Sequence, residues 1–384
     1  MRQLSLRWIL VDDTGLTRGC RRLGLRARPP RRRGTDRRSV AAGSRGGRTD
    51  EGAHLSARDR PARPRRGSRV KQGVVLAAGR GQRLQPLTQT RSKAMLPIVG
   101  KPMVERVMDE LALGGVRDFI LVVSPDDRRI VQYFSGEARL DARVRFVHQP
   151  QPLGAGDALC QAAPLINGDF ILAACDNLFP PGHVRSMIAR WAEQDVEALL
   201  TLMPVTPDEA RSAGVVALDG SRVTRIVEKP APGEAPSNIA SLPLYIFSPR
   251  LLAHLADLPP SPRGEYELQD AIQRLIDEGG RVRGLPVEWR LTLTRPADLL
   301  AINRRYLGHG APRLAQQSVG PNTQLVPPLH IEEGTIIGAN CVIGPNVVIE
   351  RDCQVGDGAT IREAVLLAGV RVPAGGMITE QVMA

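Results

Sequence analysis

Between residues 325 and 367 a leucine, isoleucine or valine recurs at every sixth position: Leu325, Ile331, Ile337, Ile343, Ile349, Val355, Ile361 and Leu367. The chain between them turns on "GAN", "GPN", "ERD" and "GDG". A six-residue period fits neither an α-helix nor an isolated strand. It predicts a β-helix over 320–384, in which each hexad forms one side of a coil and three hexads close a turn. About three coils are expected. A solenoid of that size leaves an end that needs a cap or a partner, so the tail is expected to make a homo-oligomer contact. An acyltransferase site on it would need a general-base histidine. The tail has only His330, at its beginning, so it is expected to set assembly and not chemistry.

Residues 70–310 follow a different rhythm, in which short apolar runs alternate with amphipathic stretches. Strands are predicted at 73–76, 118–123, 144–148, 169–174 and 244–247. Helices are predicted at 102–115, 128–134, 156–163, 266–280 and 296–307, with a hairpin around Asp219-Gly220. Such alternation gives a mostly parallel, Rossmann-like α/β sheet with right-handed crossovers. Ligands of such sheets bind at the carboxyl ends of strands. The "AAGRG" after the first strand and the "CDN" after the fourth both lie at such ends.

The net charge of +12 suggests a nucleic-acid binder until it is located. Residues 1–69 hold 20 arginines, no lysine and 6 acidic residues, a net of +14, which leaves −2 for the other 315 residues. The folded part is close to neutral, so no nucleic-acid partner is expected. The Arg-rich arm lacks hydrophobic periodicity after about residue 16 and is expected to be disordered. It could be a nucleic-acid tail, though Trp8 is its only aromatic for stacking. It could be a transit peptide, though Asp12 and Asp13 argue against that. The preferred reading is translated upstream sequence, with a start near Val70. No window holds eighteen consecutive apolar residues, so no membrane span is expected. The five cysteines lack metal-ligand spacing and read as reduced thiols of a cytoplasmic protein.

The stretch "LAAGRGQRLQPLTQTRSK", residues 76–93, carries the chemistry. A glycine-rich loop after a buried strand lets backbone amides approach a phosphate. It is not a Walker A loop, and it lacks the third glycine of the dinucleotide fingerprint, because position 84 is leucine. Two glycines alone are also compatible with an ordinary tight turn. The chain has only four lysines (Lys71, Lys93, Lys101 and Lys229), against 48 arginines. Against that background, lysine at 93 and 229 reads as a choice for its compact charge.

The pattern G-x-G-x-R-L-x-P-L-T-x-x-x-x-K resembles the signature of the sugar-1-phosphate nucleotidyltransferases. "MLPIVGKPMVERVMDEL", "HQPQPLGAGDAL", "DNLF", "VEKP", "SNIASLPLYIFSP" and "RGEYELQDAI" follow in the family's order. The set is most similar to glucose-1-phosphate thymidylyltransferases, and the hexad tail resembles the left-handed β-helix of longer members. The resemblance implies an enzyme that joins a nucleoside triphosphate to a sugar 1-phosphate, releasing pyrophosphate, with Mg²⁺ as cofactor. Arg83, Lys93 and Asp176 would be catalytic. Leu76, Ala77, Ala78, Gly79, Gly81, Gln149 and Gly154 would bind the nucleotide. Asn177, Gly214, Glu228, Lys229, Asn238 and Tyr245 would hold the sugar phosphate. dTTP with glucose 1-phosphate is the first choice, UTP the second, and GTP with mannose 1-phosphate the third.

The chain departs from the family pattern at the metal. Members usually carry a second metal-binding carboxylate or an Asn before the last helix. In "EWRLTLTRPADLL" the candidate positions are Thr292 and Thr294. Asp176 is then expected to hold the metal with Thr292 as a weak ligand. A catalytically weak, regulatory member that still binds nucleotide sugar is the alternative this departure raises.

Overall fold

The computed structural model describes residues 70–138, 140–308, 313–314 and 318–384; the readings of residues 1–69 lie outside these. Five strands open the catalytic half in chain order: β1 (Gln72–Leu76), β2 (Asp118–Val123), β3 (Arg143–His148), β4 (Phe170–Ala174) and β5 (Ala198–Pro204). Four more follow: β6 (Gly214–Asp219), β7 (Arg222–Glu228), β8 (Ile239–Phe247) and β9 (Val282–Pro286). They form one nine-stranded sheet in the order β3-β2-β1-β4-β8-β5-β9-β7-β6. β1 lies between β2 and β4, parallel to both, so the strand order reverses there. That reversal opens a crevice at the carboxyl ends of β1 and β4.

The six longer helices are α1 (Met103–Leu113), α2 (Arg128–Gly136), α3 (Ala155–Ala162), α4 (His183–Glu193), α5 (Leu268–Asp277) and α6 (Pro296–Leu307). They bury one apolar cluster on each side of the sheet. Val75, Leu121 and Ala173 face one cluster, and Val74, Ile120 and Leu172 face the other. This is the period-two alternation of strands buried on both faces. β8 runs antiparallel to β4 and β5, and the hairpin β6–β7 closes the far edge. Among the described residues no helix is long and apolar enough to cross a membrane.

The tail folds as a left-handed β-helix of three parallel sheets. Ile331, Ile337, Ile343, Ile349, Val355 and Ile361 all point into its core. Several corners are left-handed residues, including Asn322, Asn340, Asn346 and Asp352; Asn and Asp tolerate this conformation better than other side chains. Two expectations need correction. One face has five rungs and the other two have four, not about three coils. The register also slips after Ile361. Ile349 stands over Leu366, one residue short of Leu367, because only Arg362 and Glu363 separate Ile361 from Ala364, where the three residues "GPN" separate Ile343 from Val347. Leu367 joins Val348 and Val365 in the apolar cluster of the catalytic half. The face built from Leu329–Ile331, Val347–Ile349 and Ala364–Leu366 is thereby buried on both sides.

Candidate functional site

The glycine loop leaves β1 at Leu76 and Ala77, whose N–H bonds Val122 O at 2.8 Å. Of its two glycines only Gly81 is required by the local backbone. It has φ +62°, and a Cβ there would lie 2.9 Å from Lys93 Cβ. Gly79 has open space around it. Thr88 Oγ1 donates to Gly81 O at 2.9 Å and holds the loop closed. Ala78 is half-buried, and Arg83 is exposed on a single 3-10 turn, Gln82–Leu84.

A second 3-10 turn, Lys93–Met95, carries Lys93 beneath this loop. Lys93 Nζ makes an ion pair with Asp176 Oδ2, their side chains 14% and 22% exposed. Asp176 follows β4, where Cys175 N–H is tied to Leu76 O at 3.1 Å. The parallel register of β1 and β4 therefore brings together residues 83 positions apart. Burial, reinforced by the neighbouring Asp176 charge, pushes the Cys175 thiol up to about 12, so it stays protonated.

The second oxygen of Asp176 accepts from Asn177 Nδ2 at 2.6 Å. Asn177 Oδ1 in turn accepts from Arg290 Nη1 at 3.4 Å. Sequence reasoning missed Arg290, because nothing in "EWRLTLT" marks it as facing the cleft. Its place comes from the pairing of Leu291–Thr292 with Asn177–Leu178. That pairing sets Thr292 opposite Asn177, and Leu293 N–H donates to Asp176 O at 2.9 Å. Thr292 and Thr294 hydroxyls lie 3.4 Å apart. The next carboxylate, Asp298, is engaged elsewhere, accepting the Thr294 and Arg295 N–H groups at 2.7 Å as a helix cap. Among the described residues no three His, Cys, Asp or Glu cluster as a metal cage. One carboxylate with neutral hydroxyls nearby fits a cation that takes most of its ligands from substrate and water, as Mg²⁺ does.

Gln149 and Gly154 lie together at the next strand end. Gln149 is buried, and its amide nitrogen donates to Gly154 O at 3.0 Å and to Asp157 Oδ2 at 2.8 Å. Both amide hydrogens are thus taken up within the loop. Gly214, Glu228 and Lys229 form another group. Gly214 is paired with Glu228 across the β6–β7 hairpin, and a Cβ on it would lie 3.0 Å from Glu228 Oε2. Lys229, with φ +45°, reaches Glu228 at 3.7 Å and Glu265 at 3.5 Å. Asn238 is exposed on a neighbouring cavity of about 250 Å³. Tyr245 does not line the cleft. It is 0% exposed, in the core, its hydroxyl donating to Ser241 Oγ at 3.2 Å, because β8 is a central strand covered on both faces.

Burial raises the Glu228 carboxyl to about 7, against the opposing pull of Lys229. The folded chain then holds a proton that the unfolded chain releases near 4.5. This contribution to stability is fully present below about 4.5 and is lost as pH rises through about 7. Glu228→Gln is expected to remove this loss, gaining about 2 kcal/mol on wild type between pH 5 and pH 8. Urea unfolding at the two pH values checks it; an identical pH dependence in both proteins would refute it.

Residues 72–288 match the nucleotidyl transferase family, and residues 325–384 match the GMPPB C-terminal domain. The chain is 32% identical over 321 residues to a glucose-1-phosphate thymidylyltransferase of Streptomyces griseus, covering 78% of this chain and 88% of that protein. It is 34% identical over 229 residues to the UTP–glucose-1-phosphate uridylyltransferase AglF of Haloferax volcanii, covering 59% and 93%. Its fold matches a UDP-glucose pyrophosphorylase complexed with UDP-glucose at a TM-score of 0.58 and 23% identity, over 63% of this chain and all of that one. With the glycine loop, Lys93 and Asp176 assembled at the strand-order reversal, and a family match across more than half its length, the chain belongs to the nucleotidyl transferase family of enzymes.

Proposed function

We propose that this chain transfers a nucleotidyl group from a nucleoside triphosphate to a sugar 1-phosphate, giving a nucleoside diphosphate sugar and pyrophosphate. The observation that carries this reading is the Lys93–Asp176 ion pair under the glycine loop, between the ends of β1 and β4. One phosphate oxygen of the sugar phosphate attacks the α-phosphorus in line. The bond from the α-phosphorus to the bridging oxygen breaks, and pyrophosphate leaves with its electron pair. Two polyanions must approach, so catalysis is charge neutralisation and positioning. Loop amides around Ala78 to Gly81 meet the triphosphate, and Arg83 brings a forked guanidinium to its oxygens. Lys93 places a compact ammonium beside the reacting phosphate. Gln149 Oε1 and the Gly154 backbone address the base edge. Lys229, with Glu228, Gly214, Asn238 and Asn177, holds the sugar phosphate, and Arg290 stands at the same end of the cleft. Mg²⁺ would be held by Asp176, with Thr292 as a neutral neighbour, and would supply charge neutralisation between the phosphates.

dTTP with glucose 1-phosphate is the preferred pair, supported by the Streptomyces griseus relative. UTP follows, supported by the Haloferax volcanii relative. GTP with mannose 1-phosphate is third. Pyrophosphate release measured for four triphosphates against several sugar 1-phosphates tests the reading. Release with no pair, from a protein that still binds nucleotide, would overturn it.

Thr292 gives a second test. A threonine hydroxyl is a weaker metal neighbour than a carboxylate, so the wild-type chain should need more free Mg²⁺ than a two-carboxylate site. Thr292→Asp is expected to lower the Mg²⁺ concentration for half-maximal rate by about threefold to tenfold. An unchanged Mg²⁺ requirement would remove Thr292 from the metal's surroundings. The β-helix is proposed to mediate a homo-oligomer.

A further inference from the structure

We infer that Glu350 of the β-helix is a positioning residue for the reaction proposed above: through Arg91 it holds the segment that sets Lys93 on Asp176. Arg91 Nη1 lies 2.9 and 2.8 Å from the two Glu350 carboxylate oxygens. The two side chains are only 10% and 11% exposed. Glu350 is itself fixed within the solenoid. Its Oε2 accepts from Ala368 N–H at 2.9 Å, its N–H donates to Leu366 O at 2.9 Å, and its carbonyl accepts from Thr335 Oγ1 at 3.2 Å. The pair thus anchors Arg91 to two successive coils.

Only Ser92 separates Arg91 from Lys93, and the chain there has no slack. Met95 N–H closes on Ser92 O at 3.0 Å, and Leu96 N–H on Lys93 O at 3.2 Å. From the other side, Asn303 of α6 accepts from Val99 N–H at 2.8 Å and donates to Pro97 O at 3.0 Å. The turn that carries Lys93 is therefore clamped between the last helix of the catalytic half and the β-helix. Among the described residues two other ion pairs cross between the halves, Arg304–Glu363 and Arg351–Glu137. Their arginines are 55% and 53% exposed, and neither pair adjoins a site residue. Exposed pairs of that kind contribute little, whereas removing one partner of a buried pair leaves the other charge unmatched and moves the chain around it. The tail was expected from its periodicity to serve assembly alone; this buried pair links it to the lysine of the site.

The test uses the full chain. Glu350→Gln keeps the shape and removes the charge. It is expected to lower kcat about tenfold while KM for both substrates stays within about twofold, because a displaced Lys93 weakens transition-state contacts more than ground-state binding. In a Lys93→Ala background the same change should cost no more than about twofold, since two residues acting through one group are not additive. An unchanged kcat, or the full loss in the Lys93→Ala background, would overturn the proposal. Should Glu350→Gln fail to fold, Arg91→Lys retains the charge but ends one bond short of where Nη1 meets both Glu350 oxygens, and is read in the same way. A second readout needs no turnover. With only four lysines in the chain, acylation by an amine reagent can be followed at each by peptide mass spectrometry. Lys93 should react severalfold faster in the variant, with Lys229 unchanged; equal Lys93 rates would overturn the proposal. If the wild-type chain releases no pyrophosphate, the reaction reading fails, and this labelling still decides the brace.

Discussion

Asp176→Ala is expected to abolish pyrophosphate release at every Mg²⁺ concentration. Asp176 is the single carboxylate at the end of β4, and the positions that could supply a second are Thr292 and Thr294. The next carboxylate along that segment, Asp298, is committed to the start of α6. Neither threonine can take over its charge, so the loss should exceed the effect of removing one of two metal carboxylates. The fold should survive. Asp176 is a partly exposed residue past the strand end, and its backbone carbonyl still accepts from Leu293 N–H whatever the side chain. Pyrophosphate assays over a Mg²⁺ series, with circular dichroism as the control, measure this. Residual turnover within about tenfold of wild type would mean that the metal sits elsewhere.

Lys93→Ala is expected to lower kcat/KM by about 10²–10³, the scale of removing one preorganised charge from a developing anionic transition state. Arg83→Ala should fall in the same range, with a different balance. Arg83 is exposed and makes no hydrogen bond or ion pair among the described residues, so its loss should raise KM for the triphosphate. Lys93 is held on Asp176 before substrate arrives, so its loss should appear mainly in kcat. Lys93→Arg should not rescue it fully, because a longer, planar guanidinium does not reproduce the compact ammonium held on Asp176. Steady-state kinetics with both substrates varied separates these cases. Near-normal rates in both alanine variants would mean that the phosphate loop is misassigned.

The local patterns of the chain were legible because they repeat or because they punctuate. The six-residue period placed the core of the β-helix from Ile331 to Ile361, since an inward position in a solenoid must be apolar whatever surrounds it. The alternation of apolar runs and amphipathic stretches placed β1 to β4 and α1 to α3 within a residue or two of where they form. The motif order around Lys93, Asp176 and Glu228 pointed to one cleft, and the parallel pairing of β1 with β4 brings Lys93 and Asp176 together there. Other features depended on three-dimensional packing. The register slip at Leu366 follows from one missing corner residue, which no periodicity registers until the coils stack. Tyr245 carries the polar tip of a pocket residue, yet a central strand covered on both faces buries it. Arg290 and Thr292 face Asn177 because two short strands more than a hundred residues apart pair there. The Arg91–Glu350 contact spans 259 positions. An ion pair depends on which surfaces meet, and the sequence around either residue carries no trace of the other. Local composition therefore determined the elements and the chemistry of their ends, while tertiary packing alone decided which of those ends share a site and which part of the solenoid braces it.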